Sequence, residues 1–113
     1  MHALTLLNDV TYVEAARVWA QRLMKEGGKT PQERLNLAFR MATARQPSTP
    51  EQAVLLRAYE RALAQYQKDR PAALKLISAG EHSRDEALDV VELAAYMVAA
   101  NLILNLDDAL TKE

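Results

Sequence analysis

Residues 90–106 read VVELAAYMVAANLILNL, an apolar run that is interrupted only by Glu92, Asn101 and Asn105. A helix that is apolar on all sides within a small protein is expected to be the central, buried one. The run is shorter than the roughly 20 residues of a membrane-spanning helix and carries a charge, so it does not predict a membrane span. We therefore expect the other elements to pack around it, and residues 91–104 to be the most buried segment.

The composition of the whole chain favours helices. With 113 residues, 50% of them hydrophobic, the chain is expected to form a single domain, 1–113. Alanine and leucine are its commonest residue types, and only 3 glycines and 4 prolines are present. The absence of cysteine excludes a disulfide framework, a thiolate metal site, a cysteine nucleophile and covalent haem attachment within this segment.

Start and stop signals place four more helices upstream of the apolar run. Thr-x-x-Glu at residues 11–14 has the form of a capping box, and two Thr-Pro pairs each place proline in the first helical turn. The predicted helices cover residues 12–26, 31–44, 50–68 and 71–79, with Thr49 as the cap of the third. The sequence thus predicts an all-α fold, a compact orthogonal bundle of about five helices around a central C-terminal apolar helix.

Charge is distributed unevenly along the chain. Residues 1–80 carry 12 Lys and Arg against 7 Asp and Glu, and residues 81–113 carry 2 against 8, for a net charge of −1. The acidic third could lie against the basic helices of the same chain, or both could be solvated faces. The low net charge and the acids mixed among the basic residues of the helix over 50–68 argue against a nucleic-acid partner.

The sequence shows no recognisable catalytic or metal-binding pattern. His2 and His82 lie in no metal-ligand spacing, and the adjacent Asp107 and Asp108 diverge on a helix. The acidic residues between 81 and 92 lie in and beside a polar connection, which gives no carboxyl withdrawn from water. No catalytic, cofactor-binding or metal site is therefore predicted.

Three polar residues on predicted helices are candidates for structural roles. Asn101 is expected to be a buried residue with satisfied hydrogen bonds that fixes the helix register. Arg40 and Arg45 flank the end of the helix over 31–44. Arg45 is expected to bond the last carbonyls there or to reach an acid of another helix, and an anion-binding role is the alternative.

A second group of candidates concerns the two ends of the chain. Asn8 and Asp9 precede the first predicted helix, while Asn105 and Asp107 lie at the far end of the apolar one. If residues 3–7 pack back on the domain, these four side chains could cluster near a junction with a preceding domain. The alternative is that they are independent caps that lie far apart.

Several short strings resemble, in order, the C-terminal end of a family of large exported bacterial proteins that are abundant in planctomycetes. The strings are residues 1–9, 12–17, 37–40, 45–51 and 99–107. Members of that family carry a cytochrome-c-like domain at the front and two regions of unknown function behind it. The resemblance implies that this chain is excised from the C-terminal end of a larger protein, with Met1 an interior residue. It also implies a periplasmic or exported location and a haem held by the parent protein, not by this segment.

We accordingly expect a non-catalytic structural and interaction domain of a larger exported, cytochrome-c-associated protein. Its partners would be the upstream domains of the parent or another protein. An alternative is a helical wall of a substrate-binding or enzyme site that the upstream domains complete. A free-standing helical adaptor is a further possibility.

Overall fold

The structure, a computed structural model, describes residues 10–78 and 88–111, with side chains for residues 14–78 and 88–104. Within these ranges the chain forms helices and no strand, which confirms the predicted all-α bundle. The helices are α1 (Val10–Glu26), α2 (Pro31–Thr43), α3 (Thr49–Lys68), α4 (Arg70–Ile77) and α5 (Val90–Thr111).

The start of α2 is fixed by a complete capping box. The Thr30 hydroxyl accepts a hydrogen bond from the Glu33 N–H at 3.2 Å, and the Glu33 carboxylate accepts one from the Thr30 N–H at 3.1 Å. Pro31 follows in the first turn, where its missing N–H costs nothing. The sequence prediction for this helix start is confirmed.

The start of α3 lies one residue before the predicted one. Ser48, not Thr49, is the N-cap, and its hydroxyl accepts from the Glu51 N–H at 3.3 Å while Glu51 accepts from the Ser48 N–H at 2.8 Å. Ser48 is the cap because Glu51, three residues later, supplies the carboxylate of a capping box. The residue three positions after Thr49 is Gln52, which carries no carboxylate.

The first and last helices both extend beyond their predicted bounds. α1 already includes Val10 and Thr11, so Thr11 lies inside the helix and the prediction that it caps residue 12 onward was wrong. α5 starts as predicted, with the Asp89 carboxylate accepting from the Glu92 N–H at 2.9 Å. It continues to Thr111 because no glycine or proline follows residue 106 to stop it.

The connection between α1 and α2 depends on a glycine. Gly28 has a φ of 106°, in the left-handed region that L side chains rarely adopt. A Cβ at this position would lie 2.8 Å from a carboxylate oxygen of Glu33, which is the residue that caps α2. The short turn and the capping box therefore depend on each other.

The core of the bundle is built on α5, which contacts each of the other four helices. Between residues 90 and 103 its side chains are almost all buried, as the sequence predicts. The fully enclosed ones include Ala94, Ala95, Tyr96, Met97, Ala99, Ala100 and Ile103. The alanines let neighbouring helices approach closely, while the larger residues fill the spaces between them.

None of the helices, over the residues that the structure describes, is long and apolar enough to cross a membrane.

Candidate functional site

A polar cluster joins α2 to the central helix inside the bundle. Arg34 Nη1 donates to the Tyr96 hydroxyl at 3.2 Å and lies 3.9 Å from a Glu92 carboxylate oxygen. Arg34 Nε donates to the Gly28 carbonyl at 3.2 Å. The Arg34 guanidinium thus connects three parts of the fold: the α1–α2 turn, α2 and α5.

The same cluster includes a pair of stacked tyrosines. The ring centroids of Tyr59 and Tyr96 lie 4.4 Å apart with an angle of 32° between the planes, and both residues are buried. Burial raises the pKa of the Tyr59 phenol well above its usual value, and Tyr96 and the Glu92 carboxylate add to the effect. Both rings therefore act as packing groups between α3 and α5.

A buried arginine joins α1 to α4. Arg17 is completely enclosed, and its Nη1 donates to the Ile77 carbonyl at 2.8 Å. Ile77 is the last residue of α4, where carbonyls lack partners within the helix and favour a positive charge. The sequence analysis missed Arg17, although its place on the apolar stripe with Ala20 and Met24 was a usable signal.

Arg45 links the end of α2 to the start of α3. Its two terminal nitrogens donate to the two carboxylate oxygens of Glu51, each at 2.9 Å, and its guanidinium carbon lies 4.8 Å from the Phe39 ring centroid. These hydrogen bonds, with those from Ser48, lower the pKa of Glu51 to about 2. Of the predicted roles for Arg45, the structure confirms the contact with an acid of another helix.

Asn101 departs from its prediction. It is buried, with 7% of its surface exposed, but its Oδ1 has no hydrogen-bond partner within the described part of the chain. The expectation of a fully satisfied buried amide was therefore wrong.

The remaining candidates are one exposed arginine and four residues at the two ends of the chain. Arg40 is exposed near the end of α2, and its carbonyl accepts from the Ala44 N–H at 2.8 Å. Asn8 and Asp9 lie outside the described residues, as do the side chains of Asn105 and Asp107. Their clustering stays a prediction.

An open groove runs along the outer side of α3. It is lined by Val54, Arg57, Ala58 and Arg61 and has a volume of about 250 Å³. Val54 is 47% exposed, and both arginines are exposed. Neither arginine has an ion-pair partner among the described residues. From the sequence, this helix was described only as carrying acidic residues among its basic ones.

Over residues 10–78 and 88–111, no three His, Asp or Glu residues come together in a way that could hold a metal ion.

Comparison with known proteins gives one family. The model of a family described as PSD1, protein of unknown function (DUF1553), matches residues 1–59, which is more than half of the chain. The matched part includes α1, α2 and the beginning of α3. No curated protein and no solved structure matches the chain significantly.

Proposed function

The chain belongs to the PSD1 family of proteins of unknown function (DUF1553), and from that premise we propose that it is a non-catalytic structural and interaction domain of a larger protein. The parent would be exported, would carry a cytochrome-c-like domain upstream and would hold any haem there. This chain would dock onto the upstream domains of the parent or onto another protein. It would bind no nucleic acid and no cofactor of its own.

The observation that carries the proposal is the use of three arginines to join elements of the bundle. Arg17, Arg34 and Arg45 each join one helix to another, or to the turn beside it, through hydrogen bonds. Side chains that would suit an anionic substrate are thus engaged in holding the bundle together. Unengaged arginines lie instead on the outside, beside the exposed Val54. Arginines bonded within the bundle and unpaired arginines on its surface are what we expect of a rigid scaffold that contacts a partner through its outer face.

The groove also bears on the alternative, a helical wall of a substrate site. Substrate pockets bring polar groups together from several elements and enclose most of the ligand. The described lining of this groove comes from a single helix, and its floor is an alanine and a half-exposed valine. Those features favour contact with another protein surface over enclosure of a small molecule.

Two experiments test the proposal. The reading frame of the gene should continue upstream of Met1 and encode a Cys-x-x-Cys-His motif. A stop codon directly upstream of Met1 would contradict the parent architecture. The purified chain should show no stoichiometric binding when titrated with haem or with Zn²⁺ and followed by absorbance or calorimetry. Micromolar or tighter binding of either would contradict the non-catalytic assignment.

A further inference from the structure

The groove on α3 is a continuous face of one helix. Val54, Arg57, Ala58 and Arg61 stand at positions i, i+3, i+4 and i+7, so their side chains follow one stripe over two turns. The core of α3 is contributed by a different stripe, Leu55, Tyr59 and Ala62. Among the residues that the structure describes, no side chain from another helix lines this face.

Arg57 and Arg61 differ from Arg22 and Arg45, each of which forms an ion pair with a carboxylate. Arg22 lies 3.3 Å from Glu26, and Arg45 is paired in a bidentate fashion with Glu51. Arg57 and Arg61 have no such carboxylate among the described residues, although Glu60 is their neighbour in sequence. Two uncompensated guanidinium groups thus stand one helical turn apart beside an apolar patch.

We propose that this face of α3 binds an acidic segment of the remaining part of the parent protein. The segment would present two carboxylates about one helical turn apart and an apolar side chain between them. The guanidinium groups of Arg57 and Arg61 would each donate two parallel hydrogen bonds to a carboxylate, because the planar fork matches the carboxylate geometry. The apolar side chain would cover Val54 and Ala58. This inference deepens the proposed docking function and rests on it.

Charge complementarity identifies a carboxylate-bearing protein segment as the occupant. The face offers only two cations within two turns, a footprint that suits one short acidic motif. A nucleic-acid backbone spaces its charges evenly and calls for a longer row of cations. An anionic membrane likewise calls for clusters of about four to eight basic residues.

The test measures the affinity of the 113-residue chain for the remaining polypeptide of the parent, by calorimetry at two salt concentrations. The double variant Arg57→Glu/Arg61→Glu should bind at least ten-fold more weakly than the natural chain. The milder Arg57→Gln/Arg61→Gln should show a smaller loss in the same direction. A matched control, Arg40→Glu/Lys75→Glu, reverses two exposed charges on α2 and α4 and should bind as the natural chain does. Circular dichroism verifies that each variant keeps its helices.

The outcomes separate this inference from the proposed function. If the natural chain and the charge-reversed variant bind equally well, the docking function stands and the α3 face is wrong. If the natural chain does not bind the rest of the parent at all, the docking function itself is wrong. Equal or tighter binding to a single-stranded oligonucleotide or to vesicles containing phosphatidylglycerol, lost on charge reversal, would overturn the assignment of a carboxylate partner.

Zero-length cross-linking identifies the partner group directly. In the variants Arg57→Lys and Arg61→Lys, a carbodiimide can join the new amine only to a carboxylate that lies in contact with it. Mass spectrometry of the cross-linked complex should find each lysine joined to an Asp or Glu of the partner. Cross-links from Lys75 alone, in a complex that does form, would overturn the inference.

Discussion

Arg34 on α2 and Tyr96 on α5, 62 residues apart in sequence, are joined by a hydrogen bond of 3.2 Å from Nη1 to the phenolic oxygen. The Arg34 side chain is only 17% exposed, so this bond lies mostly out of water. Arg34 also holds the Gly28 carbonyl, which fixes the left-handed turn before α2. Through Arg34, the turn before α2 and α2 itself are therefore both tied to the central helix.

Replacing Arg34 should destabilise the bundle. Arg34→Ala should lower the free energy of unfolding by about 1–3 kcal/mol, because it leaves the hydroxyl of the buried Tyr96 without its donor and also removes the hydrogen bond to the Gly28 carbonyl. Arg34→Lys should recover little, since one ammonium cannot reach both groups in the geometry of the guanidinium fork. Urea denaturation measures both. Arg22→Ala, which removes an exposed pair, is the control and should stay within about 0.5 kcal/mol. An Arg34→Ala variant as stable as that control would contradict the structural role.

Enlarging an alanine of α5 should also be costly. Ala95 and Ala99 are completely buried, so Ala95→Leu or Ala99→Leu should overpack the core and lower the free energy of unfolding by about 1–3 kcal/mol. Ala53→Leu makes the same change on the exposed side of α3 and should have little effect. Chemical denaturation measures the free energy of unfolding of each of the three variants. Equal stability of all three would mean that α5 is not the central helix.

The Arg45–Glu51 contact predicts a dependence of stability on pH. The pKa of Glu51 is about 2 in the folded chain and lies at its ordinary value near 4.5 when unfolded, so the folded state favours the ionised form. The resulting stabilisation is present above about pH 4.5 and is lost as the pH falls toward 2. Its size is limited because Arg45 is largely exposed.

NMR titration of the Glu51 carboxyl measures this pKa directly. Arg45→Ala should return it most of the way toward 4.5, leaving only the effect of the Ser48 hydrogen bonds. The stability difference between the natural chain and Glu51→Gln should shrink as the pH falls from 6 to about 2. A carboxyl that titrates at its ordinary value in the natural chain would contradict the bidentate contact.

The unpartnered amide of Asn101 predicts a stabilising substitution. A buried acceptor without a partner costs about 1–3 kcal/mol, and leucine has nearly the shape of asparagine. Asn101→Leu should therefore raise the free energy of unfolding by about 1 kcal/mol. Asn101→Asp, which buries a charge at the same place, should lower it sharply. If Asn101→Leu were destabilising by a similar margin, Oδ1 would have a hydrogen-bond partner after all.

The helices were predictable because their signals are local. The apolar run that became α5 and the carboxylates three residues after Thr30 and Ser48 lie within short windows of sequence. The start of α1 was predicted wrongly because Thr11 and Glu14 have the spacing of a capping box by chance. The helix has begun before Thr11, at Val10. A local pattern predicts that a helix exists better than it predicts where the helix begins.

The candidate sites were less predictable because they depend on contacts between distant parts of the chain. Nothing near Arg34 in sequence indicates Tyr96, and nothing near Arg17 indicates the Ile77 carbonyl. The prediction for Arg45 succeeded because its partner lies only six residues away. Whether Asn101 is satisfied depends on which side chains the other helices bring against it, and a single sequence does not contain that information.

The central claim, that this chain docks onto the rest of a larger protein, is tested most directly by hydroxyl-radical footprinting of the chain alone and within the full-length parent. Val18, Met41, Val54 and Leu74 are exposed hydrophobic side chains on four different helices, and each reports on its own face. We predict that labelling of Val54 falls several-fold in the parent while at least two of the other three keep the labelling of the free chain. Equal labelling of all four side chains in the two proteins would contradict the docking function.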